Sequence, residues 1–327
     1  MFYGEIINIF VGINSHYMTK ILVTGVAGFI ASCLADKLIS DSNNFVVGID
    51  NFLTGKRENL PINQVKNYRF LECDANNFEE LSTIFSVHNF DYVFHYAAVV
   101  GVKRTLQNPL MVLNDIQGIK NVLELSNKSS IKRVFFSSSS EVYGEPVEFP
   151  QHEETTPLNS KLPYAVVKNV GESYLKAYQK EYDLNYTIFR FFNTYGVRQS
   201  EDFVIAKFLN LAYSNQDIMI YGDGLQTRTF CFIDDNIETT LRILKDNLAV
   251  NEVINIGSDI EISILDLAKL IIKKTNSKSK IIHLPALIEG DMTRRKPDNS
   301  KMRMILKKDL VILEDGIERM ITTINNH

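Results

Sequence analysis

A β-branched run, KILVTG (residues 20–25), stops on glycine, and GFIASCLADKLIS (28–40) follows at once with apolar residues at helical spacing. A strand that enters a helix through a short glycine turn leaves few folds open, and the rest of the chain narrows them further. FVVGID (45–50), YRFLECD (68–74), DYVFHYAA (91–98), KRVFFSSSS (132–140) and YTIFRFFN (186–193) all read as strands. Helical segments separate most of them, notably 110–127 and 164–182. This alternation predicts an α/β fold with a parallel sheet covered on both faces. Ligands of such sheets bind at the carboxyl ends of the strands, where the short stretches TG, ID, CD, YAA, SSSS and FN fall.

Beyond residue 193 the pattern loosens. YGDGLQTRTF (221–230) reads as a turn-rich loop, and 233–247 as a helix capped by Asp234 or Asp235. EVINIGS (252–258) reads as another strand, 262–275 as a helix and RRKPDNSKM (294–302) as a polar loop. The expected organisation is a Rossmann-type doubly wound sheet with a smaller, partly interleaved C-terminal substrate domain. Its boundaries are a dinucleotide-binding domain over 19–192, with 229–258 packing back on it, and a substrate-binding domain from 193–228 and 259–327. Residues 1–18 form an N-terminal extension without a basic region or a small-residue cleavage site; no function is assigned to it.

Bulk properties exclude several classes of partner. The 327 residues carry a net charge of −4 with no block of like charges, which argues against nucleic acid or an anionic membrane as main partner. The longest apolar run, YVFHYAAVVGV (92–102), is too short to span a bilayer. Cys33, Cys73 and Cys231 are odd in number, far apart and form no CxxC pair. They are expected to be buried free thiols of a protein in a reducing, cytoplasmic compartment.

The glycine turn has the spacing Gly25-x-x-Gly28-x-x-Ala31 between strand and helix. Glycine permits the tight turn and lets backbone approach a pyrophosphate, which then faces the helix N-terminus. Asp50, 25 residues after Gly25, closes the next strand. A carboxylate there hydrogen-bonds ribose hydroxyls and repels a 2′-phosphate, favouring NAD over NADP. Asp74 ends the third strand within reach of an adenine amine, although such a residue on its own is more often a solvated strand end.

A second constellation follows. SSSSEVYGEP (137–146) precedes YAVVK (164–168), so Tyr164 and Lys168 are four apart on one helix face. A phenol with an ordinary pKa of about 10 is a poor base at neutral pH. A nearby ammonium and a positive nicotinamide both stabilise its phenolate, which can then take a proton from an alcohol. Ser139, at a strand end, can hydrogen-bond that alcohol. YxxxK alone is common as a solvated helix face; the fingerprint and the serine cluster before it give it meaning.

Together the stretches TGVAGFI, IDN, ECDANN, HYAA, SSSSEVYG, YAVVK, RFFNTYG, YGDGLQTRTFCFIDD and PDNSK resemble the extended short-chain dehydrogenase/reductase family, in particular its sugar-nucleotide epimerases, dehydratases and decarboxylases. The resemblance runs from about residue 19 to the C-terminus. It implies that Gly25, Gly28, Phe29 and Ile30 form the pyrophosphate loop of NAD, that Asp50 and Asn51 hold the adenosine ribose, and that Asp74 and Ala75 contact adenine. Ala97 and Ala98 match the strand-end backbone beside the cofactor. Ser139, Tyr164 and Lys168 match the catalytic groups; Ser140, Asn193 and Arg228 match contacts to the diphosphate or sugar. The segment ALIEGD lacks the arginine usual just before its glycine-aspartate, and Arg294, with Arg295 beside it, is expected to take its place. Asp115 stands where the family usually has asparagine, three positions before a helix glycine. The resemblance also implies a homodimer, with the helices near 110–127 and 164–182 paired as a four-helix bundle.

Members of the family differ after hydride has left C4 of the hexose. A 4,6-dehydratase typically carries Asp-Glu after its catalytic threonine; here the pair is Ser140-Glu141, with half missing. Decarboxylases of UDP-glucuronate commonly read Thr-Ser-Glu, which Ser139-Ser140-Glu141 approaches. The expected activity is NAD-dependent C4 epimerisation of a UDP-hexose. Decarboxylation or dehydration using Glu141 is the alternative, and a non-catalytic NAD-binding sensor the remote one.

Overall fold

The computed structural model describes residues 18–61, 65–145, 147–285 and 294–325, with backbone alone at 102, 103 and 106. The segment ALIEGD and most of the N-terminal extension lie outside the described residues. Numbered along the chain, the first six strands are β1 (Thr19–Thr24), β2 (Asn44–Asp50), β3 (Tyr68–Glu72), β4 (Tyr92–His95), β5 (Arg133–Ser139) and β6 (Tyr186–Phe191). Helices α1 (Phe29–Ile39), α2 (Phe78–His88), α3 (Val102–Gln107), α4 (Pro109–Leu113), α5 (Asp115–Lys128) and α6 (Pro163–Tyr182) lie between them. The strand expected near 252 is Glu252–Ile256, and it joins the same sheet beside β6.

All neighbours in this seven-stranded sheet are parallel, in the order Glu252–Ile256, β6, β5, β4, β1, β2, β3. The order reverses between β1 and β4, where Thr24 lies opposite His95. Helices leave for opposite faces on either side of that point, which opens a crevice at the strand ends.

Sequence dictates this arrangement through strands that are apolar on both faces. Every residue of β5 is buried, and its neighbours alternate between two cores. Phe135 packs with Phe94 and Phe189 on one face, their rings stacked at 4.3 and 6.1 Å between centroids. Val134 and Phe136 enter the core on the other face, against α5 and α6. Burying one such phenylalanine contributes about 2–3 kcal/mol. Gly171 of α6 lets that helix come close: a Cβ there would lie 2.5 Å from the Phe136 ring. Local signals set the helix ends. Asn77 caps α2 by accepting from Glu79 and Glu80 N–H, and Pro163 occupies the first turn of α6.

The later chain builds small sheets over one end of the crevice. In chain order its strands are β7 (Thr194–Tyr195), β8 (Ile218–Tyr221), β9 (Thr227–Thr229), β10 (Cys231–Phe232), β11 (the sheet strand Glu252–Ile256), β12 (Glu261–Ser263) and β13 (Ile281–Leu284). Helices α7 (Val204–Tyr213), α8 (Ile233–Lys245), α9 (Ile264–Thr275), α10 (Ser300–Leu306) and α11 (Leu313–Asn325) accompany them. β7 pairs with β10, β8 with β13 and β9 with β12.

Three local expectations are corrected. The region 221–230 contains strand β9, because Arg228 and its neighbours pair with Glu261–Ser263. Asp234 and Asp235 do not cap α8: Phe232 holds the cap position, while buried Asp235 accepts from Val311 N–H at 2.7 Å. The helix expected over 110–127 is two, α4 and α5, with Asn114 between them.

Candidate active site

The crevice is a cavity of about 440 Å³, lined by the glycine turn, by the ends of β2, β3, β4 and β5, and by Tyr164 and Lys168 of α6. Gly25 has φ +72°, and a Cβ on it would sit 2.7 Å from the Ala97 backbone, so only glycine lets β1 turn here. Gly28 stands at the N-cap of α1, and Phe29 and Ile30 bring the first helical turn to the cavity. Thr24, just before the turn, fixes the neighbouring strand end. Its hydroxyl accepts from Tyr96 and Ala97 N–H at 3.1 Å each and contacts His95 Nδ1 at 2.9 Å.

Asp50 ends β2 and faces the turn. Its carboxylate accepts from Ala27 N–H at 2.9 Å and from Phe52 N–H at 2.7 Å. Burial pushes this carboxyl up, and those two bonds pull it back. A carboxylate offers about four acceptor positions, so each oxygen keeps capacity for a ribose hydroxyl. Asn51, Asp74, Ala75, Ala97 and Ala98 line the same cavity. A glycine cradle at a helix start, an acid at the second strand end and a long cleft past β3 fit a dinucleotide.

Past β4 the cleft meets the hydroxyl and amine groups. Ser139 ends β5, accepts from Glu141 N–H at 3.2 Å and lines the cavity with Tyr164. Lys168 is buried, donates to Ser137 Oγ at 3.2 Å, and lies 4.9 Å from the Phe136 ring centre and 5.8 Å from that of Tyr164. Burial pulls Lys168 down to about 8, with Asp115 opposing. Tyr164 is pushed up by burial and then by Glu141, while Ser139 and Arg295 pull it down. The chain's own groups therefore hold the phenol protonated. Of the two cations anticipated from sequence, Lys168 does not overcome the burial.

Ser140, Glu141 and Asn193 also line the cavity. Asn193 sits at φ +33° and donates to Thr229 O at 3.0 Å, which turns the chain from β6 into the small sheets. The arginines divide differently from expectation. Arg294 forks onto Glu261 with two bonds of 2.6 Å and lies over the Phe149 ring, away from the cavity lining. Arg228 sits on β9, donates to Thr227 O at 2.8 Å and is likewise not among the cavity-lining residues. Arg295 instead faces the cavity and donates to Glu141 Oε1 at 2.8 Å. A backbone bridge sets that choice: Gln151 N–H donates to Lys296 O, and Asp298 N–H to Gln151 O, both at 2.8 Å. Sequence reasoning passed over Thr24 and Ser137; a polar residue at a buried strand end was the available signal. Cys33, Cys73 and Cys231 are free thiols, Cys33 being only partly buried. Among the described residues no helix is long and apolar enough to cross a membrane.

Comparison with known proteins adds four findings. The model of the NAD dependent epimerase/dehydratase family matches residues 21–257. The chain is 34% identical over 312 residues to a putative UDP-glucose 4-epimerase of Methanocaldococcus jannaschii, covering 94% of this chain and 99% of that one. It is also 35% identical over 305 residues to a UDP-N-acetyl-alpha-D-glucosaminuronate decarboxylase of Bacillus cytotoxicus, covering 87% and 90%. Among solved structures, the UDP-glucose 4-epimerase of Thermotoga maritima with UDP-glucose superposes with a TM-score of 0.88 at 33% identity, over 94% of this chain and 99% of that one.

Proposed function

The chain belongs to the NAD-dependent epimerase/dehydratase family, and from that premise we propose that it inverts C4 of a UDP-hexose through a transient 4-keto sugar. One observation carries the reading. Ser139, Tyr164 and Lys168 meet in the cleft, while Glu141 is engaged by Arg295 and its neighbour is Ser140 rather than a second acid. Proton removal from an alcohol is thus equipped, and a paired acid and base for elimination is not.

NAD in the cleft supplies the hydride acceptor. Beside the positive nicotinamide of bound NAD the phenol, protonated in the chain alone, would release its proton to solvent, with Lys168 stabilising the phenolate; Tyr164 Oη then takes the proton of the C4 hydroxyl while Ser139 Oγ holds that oxygen in place. The same Oη returns the proton once the keto sugar has presented its other face. Gly25, Gly28, Phe29 and Ile30 carry the pyrophosphate, Asp50 and Asn51 the ribose, and Asp74 and Ala75 the adenine. Ala97 and Ala98 wall the cleft. Ser140 and Asn193 contact the sugar end. Glu141 Oε2 has no hydrogen-bond partner among the described residues, so it can accept from a sugar hydroxyl. Arg228 and Arg294 are the proposed contacts to the nucleotide diphosphate.

A second reading, decarboxylation of a uronic acid, is favoured by Arg295. A guanidinium in the cleft is the group that best matches a sugar carboxylate. Incubation with UDP-glucose, UDP-GlcNAc and UDP-glucuronate separates the readings by product mass and NMR. Unchanged mass with inverted C4 supports epimerisation, and loss of carbon dioxide supports the second reading. Loss of water, or no turnover, contradicts both.

The protein also pairs, in this reading, as a homodimer through α4, α5 and α6. Support comes from a shallow depression on α6 lined by Val166, Val170, Tyr174 and Ala177, and from Leu110 of α4, which is 77% exposed. A monomeric mass in light scattering contradicts it.

A further inference from the structure

We infer that Glu261 is a positioning residue for Arg295: by gripping Arg294 and Lys296 on the outer side of an extended segment, it holds the arginine between them in the cleft. The inference rests on the proposed reading only where a nucleotide sugar serves as probe.

Residues 294–299 run without helix or sheet pairing beyond one bridge, and their exposure alternates. Arg294, Lys296 and Asp298 are half-buried, while Arg295, Pro297 and Asn299 are buried. Side chains of an extended chain point alternately to two sides. Arg294 and Lys296 therefore share the outer side, and Arg295 takes the inner one. Glu261 of β12 meets that outer side. Its Oε1 accepts from Arg294 Nε and its Oε2 from Arg294 Nη2, both at 2.6 Å, and Lys296 Nζ lies 3.7 Å from Oε2. The Thr227 hydroxyl donates to Oε1 at 2.9 Å, which ties the carboxylate to β9, the strand paired with its own. The Phe149 ring covers Arg294, with 4.5 Å between ring centre and guanidinium. The Arg294 bonds, then Thr227 and Lys296, hold the Glu261 carboxyl down at about 2 against its burial, so the grip stays charged across the neutral range.

A lone exposed ion pair fixes little, whereas a two-bond fork with a third donor specifies geometry. The bridge to Gln151 sets which way the segment faces, but it acts at residues 296–298, past Arg295. Glu261 supplies the anchor on the other flank. Between the two, Arg295 is buried and donates to Glu141 Oε1 at 2.8 Å. Glu261 itself is not among the residues lining the cavity. Its effect on a ligand has to pass through a neighbour, and Arg295 is the member of the gripped segment that faces the cleft.

Glu261→Gln keeps the length and one acceptor but loses the charge. The Arg295 Nε–H is followed by NMR in arginine-labelled, ligand-free protein, its signal assigned by loss in Arg295→Met. The expected result is about tenfold faster hydrogen exchange at Arg295, with the Arg190 signal unmoved as internal standard. An unchanged Arg295 signal overturns the inference, and so does equal loosening of Arg190, which means a general softening of the fold. Should Glu261→Gln fail to fold, Arg294→Lys keeps the charge and removes the fork; it must loosen Arg295 likewise, and no change there overturns the inference equally. Titration calorimetry supplies the second half, with UDP-glucuronate, or with UDP-glucose where that is the sugar bound. Glu261→Gln should weaken binding about fivefold in the parent and leave it unchanged in Arg295→Met. Equal losses in both backgrounds overturn the positioning. If neither sugar binds the parent, the proposed activity falls, and the exchange rate at Arg295 still decides the inference.

Discussion

Lys168 and Glu172 stand one turn apart on the same face of α6, against consecutive serines of β5, yet the protein treats the two charges in opposite ways. Glu172 is saturated. It accepts from Ser138 at 2.6 Å and from Arg190 through two bonds of 2.9 and 2.7 Å. Arg190 goes on to Tyr143 at 2.8 Å and Glu153 O at 3.0 Å, and Tyr143 donates to Asn255 at 2.7 Å. Lys168 has three protons to donate and, among the described residues, a single bond, to Ser137. A buried charge whose bonds are all made is fixed and serves the architecture. One whose bonds are left open towards a cavity retains a titration near the working range, which is what a catalytic group needs.

The contrast can be broken most severely on the saturated side. Arg190→Met leaves Glu172 buried without its counter-ion and should cost up to about 5 kcal/mol in urea unfolding; a loss within error would mean the network is ornamental. On the open side, Tyr164→Phe should lower turnover about a thousandfold while the protein still binds NAD. Near-normal rates would remove the phenol from the chemistry.

Lys168→Met tests the cost of leaving a charge unsaturated. Its titration lies near 8 in the folded protein against an ordinary value of 10.5, so the unfolded chain holds the extra proton between those values. The penalty is fully present below about 8 and disappears as the pH rises towards 10.5. The variant should therefore gain about 3 kcal/mol of stability at neutral pH, less at alkaline pH, while losing activity. Equal gains at both pH values would refute the assignment. The smallest effect is expected at Asp50, whose carboxylate is partly satisfied by backbone: Asp50→Asn should weaken NAD about tenfold by titration calorimetry, and undiminished affinity would place the ribose elsewhere.

What could be read from sequence follows the range of the interactions involved. The strands of the large sheet were legible to within a few residues, because burial on both faces writes itself as continuous apolar runs such as RVFF. Gly25, Gly28 and Asp50 were placed by local spacing, and Tyr164 with Lys168 by one helical turn. The choice between Arg294 and Arg295 was not legible. Two adjacent arginines look alike, and a bridge to Gln151, far away in sequence, decides which one enters the cleft. Asp234 and Asp235 failed for the same reason: their local pattern suited a cap, but Asp235 is drawn to Val311 instead. Asp115 was visible as an oddity, and only the fold put it in the same cavity as Lys168.

Gly171 carries a consequence for how this enzyme can be altered. It is not among the residues lining the cleft, yet the missing methyl lets α6 seat against Phe136 and Ile119. Tyr164 and Lys168, the pair proposed to act on the substrate, ride on that helix, so its stand-off from the sheet sets their reach. An alanine there acts as a shim under the whole lever, and variation at this silent-looking position would retune reactivity without touching a single reacting group.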